Sequence, residues 1–491
     1  MSHLGYDPSS PNSIYEFAKK LTGKSLSEIV DMSRVAENIA NKGDLGNMVE
    51  KYFFGYEPNS SPLPDFPRAG VELKVTGVNR KKNGTYSAKE RLVLTTINYM
   101  ELANEEWEAS SLMVKCRLML LMFYLYEKET TVFFRRFVLE PRLFEFPEND
   151  LKQIQLDWQK IKDMVVSGRA HELSEGDTYY LAACRKGSGG IKETLKSQPN
   201  SDIRVKGRAF ALKVKYVNKI IEEALVSTSH SFHQDTPYRS PLDSTNSEPQ
   251  THKREIRISD PEPPIPKEYV GAVPTNEFKF LYSQLGIEEA TRLKFDPFLG
   301  MTEEELSNAL GLFKQGKNSK GFYRSIVLKV LGSKNDYAPE LERAGIEIKT
   351  IRVNSNWKPY EAMSFPAFNY LEIINEKWED SAFHEKIEQR FLFVIFRNGE
   401  DGLLRLEKVC YWNMPFLDRE EARRVWEDTR RRVKVDARDL PKSSESHVAH
   451  VRPHARNSRD TNPTPQGTEL VKKGFWLNQS YIREMILNLD D

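Results

Sequence analysis

Cysteine is scarce in this sequence, with three among 491 residues. Cys116, Cys184 and Cys410 are far apart and odd in number, so neither a disulfide framework nor a CxxC-type zinc site is expected, and a reduced compartment fits best. A surplus of either charge is also missing. Lysines and arginines number 72 against 71 acids. A strongly basic chain would point to nucleic acid; this balance leaves that partner open and requires any basic surface to be local. Long apolar runs are lacking too. The opening "MSHLGYDPSSPNSIYEF" has no apolar core, so no secretory signal is expected. The run "LMLLMFYLYE" from Leu118 is too short to span a bilayer and reads as a buried strand. The expectation is a cytoplasmic protein without a membrane partner.

What is present is enough apolar residue, 39%, to bury more than one core, and a length that suggests two to four domains. Residues 12 to 225 read as folded α/β. "SIYEFAKKLTGKSLSEIVDMS" carries helical periodicity with two Ser-led starts, and "KGDLGNMVEKYFF" is amphipathic through Leu45, Met48, Val49 and Phe53. "GVELKVT" alternates as a half-buried strand does. "RLVLTTINY", "RLMLLMFYLYE" and "ETTVFFRRFVLE" are further strand candidates, and "DLKQIQLDWQKIKDMVVSG" is a helix expected to be capped at Asp150. From residue 227 to 274 the chain turns rich in Ser, Pro, Thr and charge, as a flexible linker is.

The second half repeats the first in outline. "KGDLGNMVEKYFFG" from Lys42 answers to "KGFYRSIVLKVLG" from Lys320, "AGVELKVT" to "AGIEIKTI", and "NYMELANEEWEAS" from Asn98 to "NYLEIINEKWEDS" from Asn369. A lysine follows that tryptophan by eight residues each time, Lys115 and Lys386. Blocks kept in order at similar spacing argue for duplicated domains.

The first copy carries the more reactive set. Alternation on a strand turns Glu72 and Lys74 to one face and Val71, Leu73 and Val75 to the core. Asp65 arrives from the preceding segment. Two carboxylates and the carbonyl of Leu73 can hold a hard divalent cation such as magnesium, and Lys74 beside it can orient or deprotonate a water. That constellation suits metal-assisted phosphodiester hydrolysis.

These motifs resemble the MutH family, mismatch-repair nicking endonucleases and their restriction-enzyme relatives acting at GATC. The family pattern of a KG-led helix, then D-F-x-x-x-G-V-E-L-K, then W-E-x-S with a lysine eight beyond the Trp reads here "KGDLGNMVE", "DFPRAGVELK" and "WEASSLMVK". The two-domain layout is similar to that of type II restriction enzymes of the Sau type. The resemblance implies an α/β (α+β) fold of two tandem PD-(D/E)xK restriction-endonuclease-like domains, each a mixed central sheet flanked by helices. It divides the chain into a catalytic domain (1–226), the linker (227–274) and a second domain (275–491) that binds DNA as an effector without cutting. It implies a magnesium-dependent, cytoplasmic bacterial enzyme cutting double-stranded DNA at GATC. Such an enzyme would be a monomer that engages two sites per chain or dimerises on DNA.

Carried over by position, Asp65 and Glu72 are the metal ligands and Lys74 the catalytic lysine. Glu50 orients water or Lys74, and Lys115 contacts the scissile phosphate. The family's DNA-reading loop falls on "YYLAACRKGSGG", where Lys186 matches its lysine, Cys184 replaces its arginine and Arg185 stands next to it. Lys213 and Lys215 are candidates for phosphate contact. In the second copy Glu347 and Lys349 persist, but Leu328 replaces Glu50 and Glu340 stands for Asp65, a methylene longer by about 1.5 Å. This degenerate site is expected not to cut. "HVRPHARN" nevertheless resembles the reading loop, with Arg452 in the arginine position and His454 in the lysine position. Two other readings are weighed, a mismatch-repair nickase and a non-cleaving DNA-binding regulator.

Overall fold

A computed structural model describes residues 5–31, 45–185, 195–230, 281–312, 321–332 and 339–489. Lys186, residues 42–44 and residues 231–274 of the expected linker lie outside the described residues.

The first half runs α1 (Pro11–Ala18), α2 (Leu45–Met48), β1 (Val71–Arg80), β2 (Tyr86–Ala88), β3 (Leu92–Thr96), α3 (Tyr99–Leu102) and α4 (Ser111–Cys116). It continues through β4 (Leu118–Leu125), β5 (Arg142–Glu145), α5 (Glu148–Val166), β6 (Leu181–Arg185), β7 (Lys196–Gln198), β8 (Ser201–Val205), β9 (Arg208–Leu212) and α6 (Val214–His230). The last helix extends four residues into the segment read as linker. The second half holds α7 (Ile287–Phe295), α8 (Glu303–Ala309), α9 (Phe322–Val330), α10 (Pro339–Ala344), β10 (Glu347–Val353), β11 (Ser364–Ala367), α11 (Tyr370–Ile373) and α12 (Ala382–Ile387). It ends with β12 (Phe391–Asn398), β13 (Leu404–Trp412), α13 (Phe416–Val435), β14 (Ala449–Pro453), β15 (Thr461–Pro463), β16 (Glu469–Val471), β17 (Lys473–Leu477) and α14 (Gln479–Asn488).

The repeat visible in the sequence is also a repeat of pairing. Strand β1 lies parallel to β4, which lies antiparallel to β5. Strand β10 likewise lies parallel to β12, and β12 antiparallel to β13. These are mixed sheets. A second, antiparallel sheet recurs as β3-β9-β6 and as β11-β17-β14. Local signals repeat with it. Asn98 and Asn369 cap the turns that follow them, Ser110 and Ser381 cap α4 and α12, and prolines 147 and 415 precede the long helices α5 and α13.

The chain nevertheless divides into two compact units that do not follow the halves. One comprises Met1–Lys89, Leu118–Glu145 and Asn218–Gly271, the other Glu90–Arg117, Phe146–Val217 and Ala272–Asp491. Within the second unit the middle of the first half is bound to the second half by buried polar groups. Arg343 of α10 donates to both oxygens of Asp150 (2.9 and 3.1 Å), and Arg390 stacks on Tyr179 at 4.6 Å. Arg419 donates to the carbonyl of Glu172 at 2.5 Å.

Strand β4 is buried from Met119 to Tyr124, as its apolar run requires, and β12 from Phe391 to Phe396. Three local expectations change. "ETTVFFRRFVLE" forms not a strand but a 3-10 turn, Val132–Phe134, followed by isolated bridges at Arg136 and Phe137. Its spacing of Phe133 and Phe137, both buried, suits a turn as well as a strand. Asp150 does not cap α5. The helix starts after Pro147, and Asp150 turns inward, 2% exposed, to accept from the hydroxyls of Tyr216 (2.8 Å) and Tyr282 (2.5 Å). Strand β1 is not half-solvated around Glu72, which is 3% exposed while Val75 is only half-buried. Among the described residues no helix is long and apolar enough to cross a membrane.

Candidate active site

Asp65 and Glu72 are seven residues apart, and a tight reversal brings them together. Phe66 bridges Val71 through backbone hydrogen bonds of 2.9 and 3.3 Å, with Gly70 supplying the left-handed φ of 67° that the turn requires. The next residues out, Asp65 and Glu72, then face each other and are laced crosswise. The Asp65 amide donates to Glu72 Oε2 (3.1 Å), and the Leu73 amide donates to Asp65 Oδ2 (2.9 Å). Lys74 Nζ lies 2.9 Å from Glu72 Oε1, with its side chain 15% exposed. Two carboxylates and a lysine are thus fixed by the backbone of one strand and one turn.

Glu50 enters from the helix before this strand, where the two copies differ by one residue. Val49-Glu50-Lys51 matches Val327-Leu328-Lys329, yet Gly55 follows Glu50 by five positions and Gly332 follows Leu328 by four. The first copy absorbs the extra residue as a π turn, Val49–Phe54, whereas α9 is an ordinary α-helix. Single π turns inside helices are often found at functional sites. This one closes with the amide of Tyr56 on the carbonyl of Glu50 (3.1 Å). The Tyr56 ring packs edge-on against Phe66 at 5.2 Å. Burial, then the charges of Asp65, Glu50, Tyr6 and Glu72, push the Tyr56 hydroxyl far above its ordinary pKa.

Among the described residues no group of three or more His, Cys, Asp and Glu side chains forms a ready metal cage. Magnesium does not need one, since it is held through one or two carboxylates and keeps waters or phosphate oxygens for the rest. Asp65 and Glu72 offer hard oxygen donors of that kind, and the Tyr56 hydroxyl is buried without a hydrogen-bond partner among the described residues. The residues present fit a small divalent cation.

The second copy is built differently. The residues ahead of Gly345 form helix α10, so Glu340 sits on a helix and pairs with Arg343 at 3.8 Å. It does not occupy the turn position that Asp65 has. Leu328 is buried, as expected. Glu347 is held on both oxygens, by Lys349 (2.6 Å) and by Lys386 (3.1 Å). Burial works against its charge, but the two lysines prevail and hold it below the usual carboxylate range. Lys115, the counterpart of Lys386, stands half-buried on the last turn of α4 in the other compact unit from Asp65 and Glu72.

Of the expected DNA contacts, Arg185 ends β6 exposed while Cys184 is buried. Lys215 is exposed on the first turn of α6, a helix rather than a strand. Arg452 and His454 are exposed and flank one indole, the guanidinium 4.5 Å and the imidazole 5.5 Å from the Trp476 ring. Sequence reading missed Trp476, although the alternation in "KKGFWLNQ" places it opposite the buried Phe475. It missed Tyr56 as well, for which the one-residue insertion was the available signal.

Lys213 needs correction. It is buried, donates to the carbonyl of Thr178 (2.5 Å), and burial lowers its pKa to about 8 despite the charge of Asp157. An ammonium enclosed in this way cannot meet phosphate. Lys213→Met should leave the slope of DNA affinity against salt unchanged, whereas loss of one phosphate contact would lower it by about 0.9. It should also remove a pH effect. Between pH 8 and 10.5 the unfolded chain holds a proton that the folded lysine has lost, so wild-type stability rises with pH there. Urea unfolding across that window checks the difference.

A sequence profile described as the DNA mismatch repair enzyme MutH matches residues 54–157 and 331–424. The chain is 31% identical over 498 residues to the type II restriction enzyme Sau3AI of Staphylococcus aureus, covering 95% of this chain and 92% of that relative. It is 26% identical to the DNA mismatch repair protein MutH of Shewanella woodyi, over 44% of this chain and 94% of that protein. With MutH of Serratia proteamaculans the identity is 24%, over 45% and 96%.

Proposed function

Since the chain belongs to the MutH-like type II restriction enzymes and is a DNA-cleaving hydrolase, we propose that it cuts double-stranded DNA at GATC with magnesium at Asp65 and Glu72. We propose further that it does so as two tandem PD-(D/E)xK domains, 1–226 catalytic and 275–491 non-cutting. The observation that carries the reading is the crosswise lacing of Asp65 and Glu72 beside Lys74, which the second copy lacks.

Bound by these oxygens, the cation would polarise the scissile phosphate and acidify a water. The chain's own groups do the rest. The amides of Asp65 and Leu73 each spend their hydrogen bond on a carboxylate oxygen and fix both side chains before substrate arrives. Glu72 Oε1 holds the Lys74 ammonium, which can orient a water or meet a phosphate oxygen. Glu50 supplies a further carboxylate on the strand's flank. Lys115 is assigned to the scissile phosphate because its counterpart Lys386 reaches the strand glutamate of the second copy. Arg185 and Lys215 on the first copy, and Arg452 and His454 on the second, are assigned to DNA, with Arg185 suited to guanine acceptors in the major groove. The two sets imply two duplex sites per chain, or dimerisation on DNA.

Incubating unmethylated plasmid with the protein and magnesium tests this. Double-strand fragments ending at GATC are expected. Nicked circles would favour a mismatch-repair type of nickase, and a gel shift without cutting would favour a regulator. Glu347→Ala is expected to leave the cleavage rate within about threefold of wild type. Its two oxygens already belong to lysines, so a dead but folded variant would overturn the inactive status of the second copy.

A further inference from the structure

The Tyr56 hydroxyl is unexplained by the assignments above. It is shut off from solvent and, among the described residues, has no hydrogen-bond partner. Leaving such a group unsatisfied carries the desolvation penalty of the hydroxyl with no hydrogen bond to offset it. A buried polar group left in this way calls for an explanation. The ring cannot turn away, because it is wedged against Phe66, the residue next to Asp65, and lies beside Phe54 at 6.5 Å. Its backbone amide is tied to Glu50. The π turn that carries Glu50 therefore also delivers this hydroxyl. The second copy has neither the π turn nor a glutamate there, and its sequence reads Ser333 after the glycine where the first reads Tyr56.

We propose that Tyr56 is a positioning residue of the cleavage site, its hydroxyl donating to a carboxylate of the Asp65, Glu72 and Glu50 group and thereby setting which oxygens face a divalent cation. The inference rests on the nuclease reading above. Asp65 Oδ2 and both oxygens of Glu72 already accept hydrogen bonds from the strand, its turn and Lys74. Asp65 and Glu72 would hold the cation through oxygens that also serve this lacing, and the Tyr56 hydroxyl is a buried donor that could replace a hydrogen bond given up there. Outer partners of this kind typically change metal affinity 10–100-fold.

The test is Mn²⁺ binding to the full chain without DNA, with free Mn²⁺ counted by electron paramagnetic resonance, on wild type, Tyr56→Phe and Glu72→Ala. Thermal unfolding is run without metal alongside. Tyr56→Phe is expected to weaken Mn²⁺ binding about tenfold while the metal-free melting temperature holds or rises, because an unpaired buried hydroxyl has gone. Affinity within twofold of wild type, or an affinity loss matched by a lower metal-free melting temperature, would overturn the inference alone if wild type binds Mn²⁺ through Glu72. Wild type that neither binds Mn²⁺ through Glu72 nor cuts DNA would overturn the nuclease reading, and this inference with it.

Discussion

Glu72→Ala is expected to lower the cleavage rate on the order of a thousandfold or more, the scale of losing a group that serves the transition state. Glu72 does three things at once. It is the proposed hard oxygen donor to a cation, it accepts the Asp65 amide, and it holds the Lys74 ammonium. Alanine removes all three, so the Asp65 amide and the Lys74 ammonium each lose the carboxylate oxygen that they now engage. DNA affinity should change little, because Glu72 is 3% exposed and contributes no contact surface. Single-turnover cleavage on a GATC duplex and a filter-binding titration separate the two effects. The variant also leaves the mostly buried Lys74 ammonium without its carboxylate, so Glu72→Gln, which keeps an acceptor, serves as the control for folding. Measurable cutting at near wild-type rate by Glu72→Gln or Glu72→Ala would remove Glu72 from the site.

Much of this site was legible in the sequence because it is local. Alternation along "GVELKVT" places Glu72 and Lys74 on one face, and the Pro-to-Gly turn that returns Asp65 lies within seven residues. The buried runs of β4 and β12 declare themselves by composition alone. Less legible were features fixed by partners distant in sequence. Asp150 looks like a helix cap until tyrosines 216 and 282 and Arg343 surround it. Lys213 looks like a basic surface residue, yet β9 ends there and the side chain is enclosed beside Asp157 and Thr178. Glu340 aligns with Asp65 letter by letter, but the residues ahead of Gly345 coil into α10 and those ahead of Gly70 fold back as a bridge. A pattern of letters does not distinguish a helix that ends in glycine from a turn that does. The single extra residue before Gly55 is visible in the text, but its meaning as a π turn is not.

Arg343→Met is expected to destabilise the unit it belongs to by about 3–5 kcal/mol, the range for removing one partner of a buried ion pair. Arg343 donates to both oxygens of Asp150. That carboxylate also accepts from Tyr216 and Tyr282, and the Tyr282 hydroxyl, its proton spent on Asp150, lies 2.9 Å from the Tyr180 hydroxyl and accepts from it. Without the guanidinium, two hydroxyls remain on an enclosed negative charge, which neutral donors do not offset. Asp150→Asn in the same background removes that charge and keeps a carbonyl acceptor for one of the two tyrosines, so the double variant should recover most of the loss. Thermal midpoints of the single and double variants measure the coupling directly. A loss under about 1 kcal/mol for Arg343→Met, or no recovery in the double variant, would show that the pair does not bind residues 146–217 to the second half. The same pair gives the Arg-Ala-Gly of the second copy a structural use. In the first copy that phrase makes the turn that sets Asp65 against Glu72, with Arg68 exposed. In the second its arginine is an anchor, and its glycine ends the helix that carries the anchor.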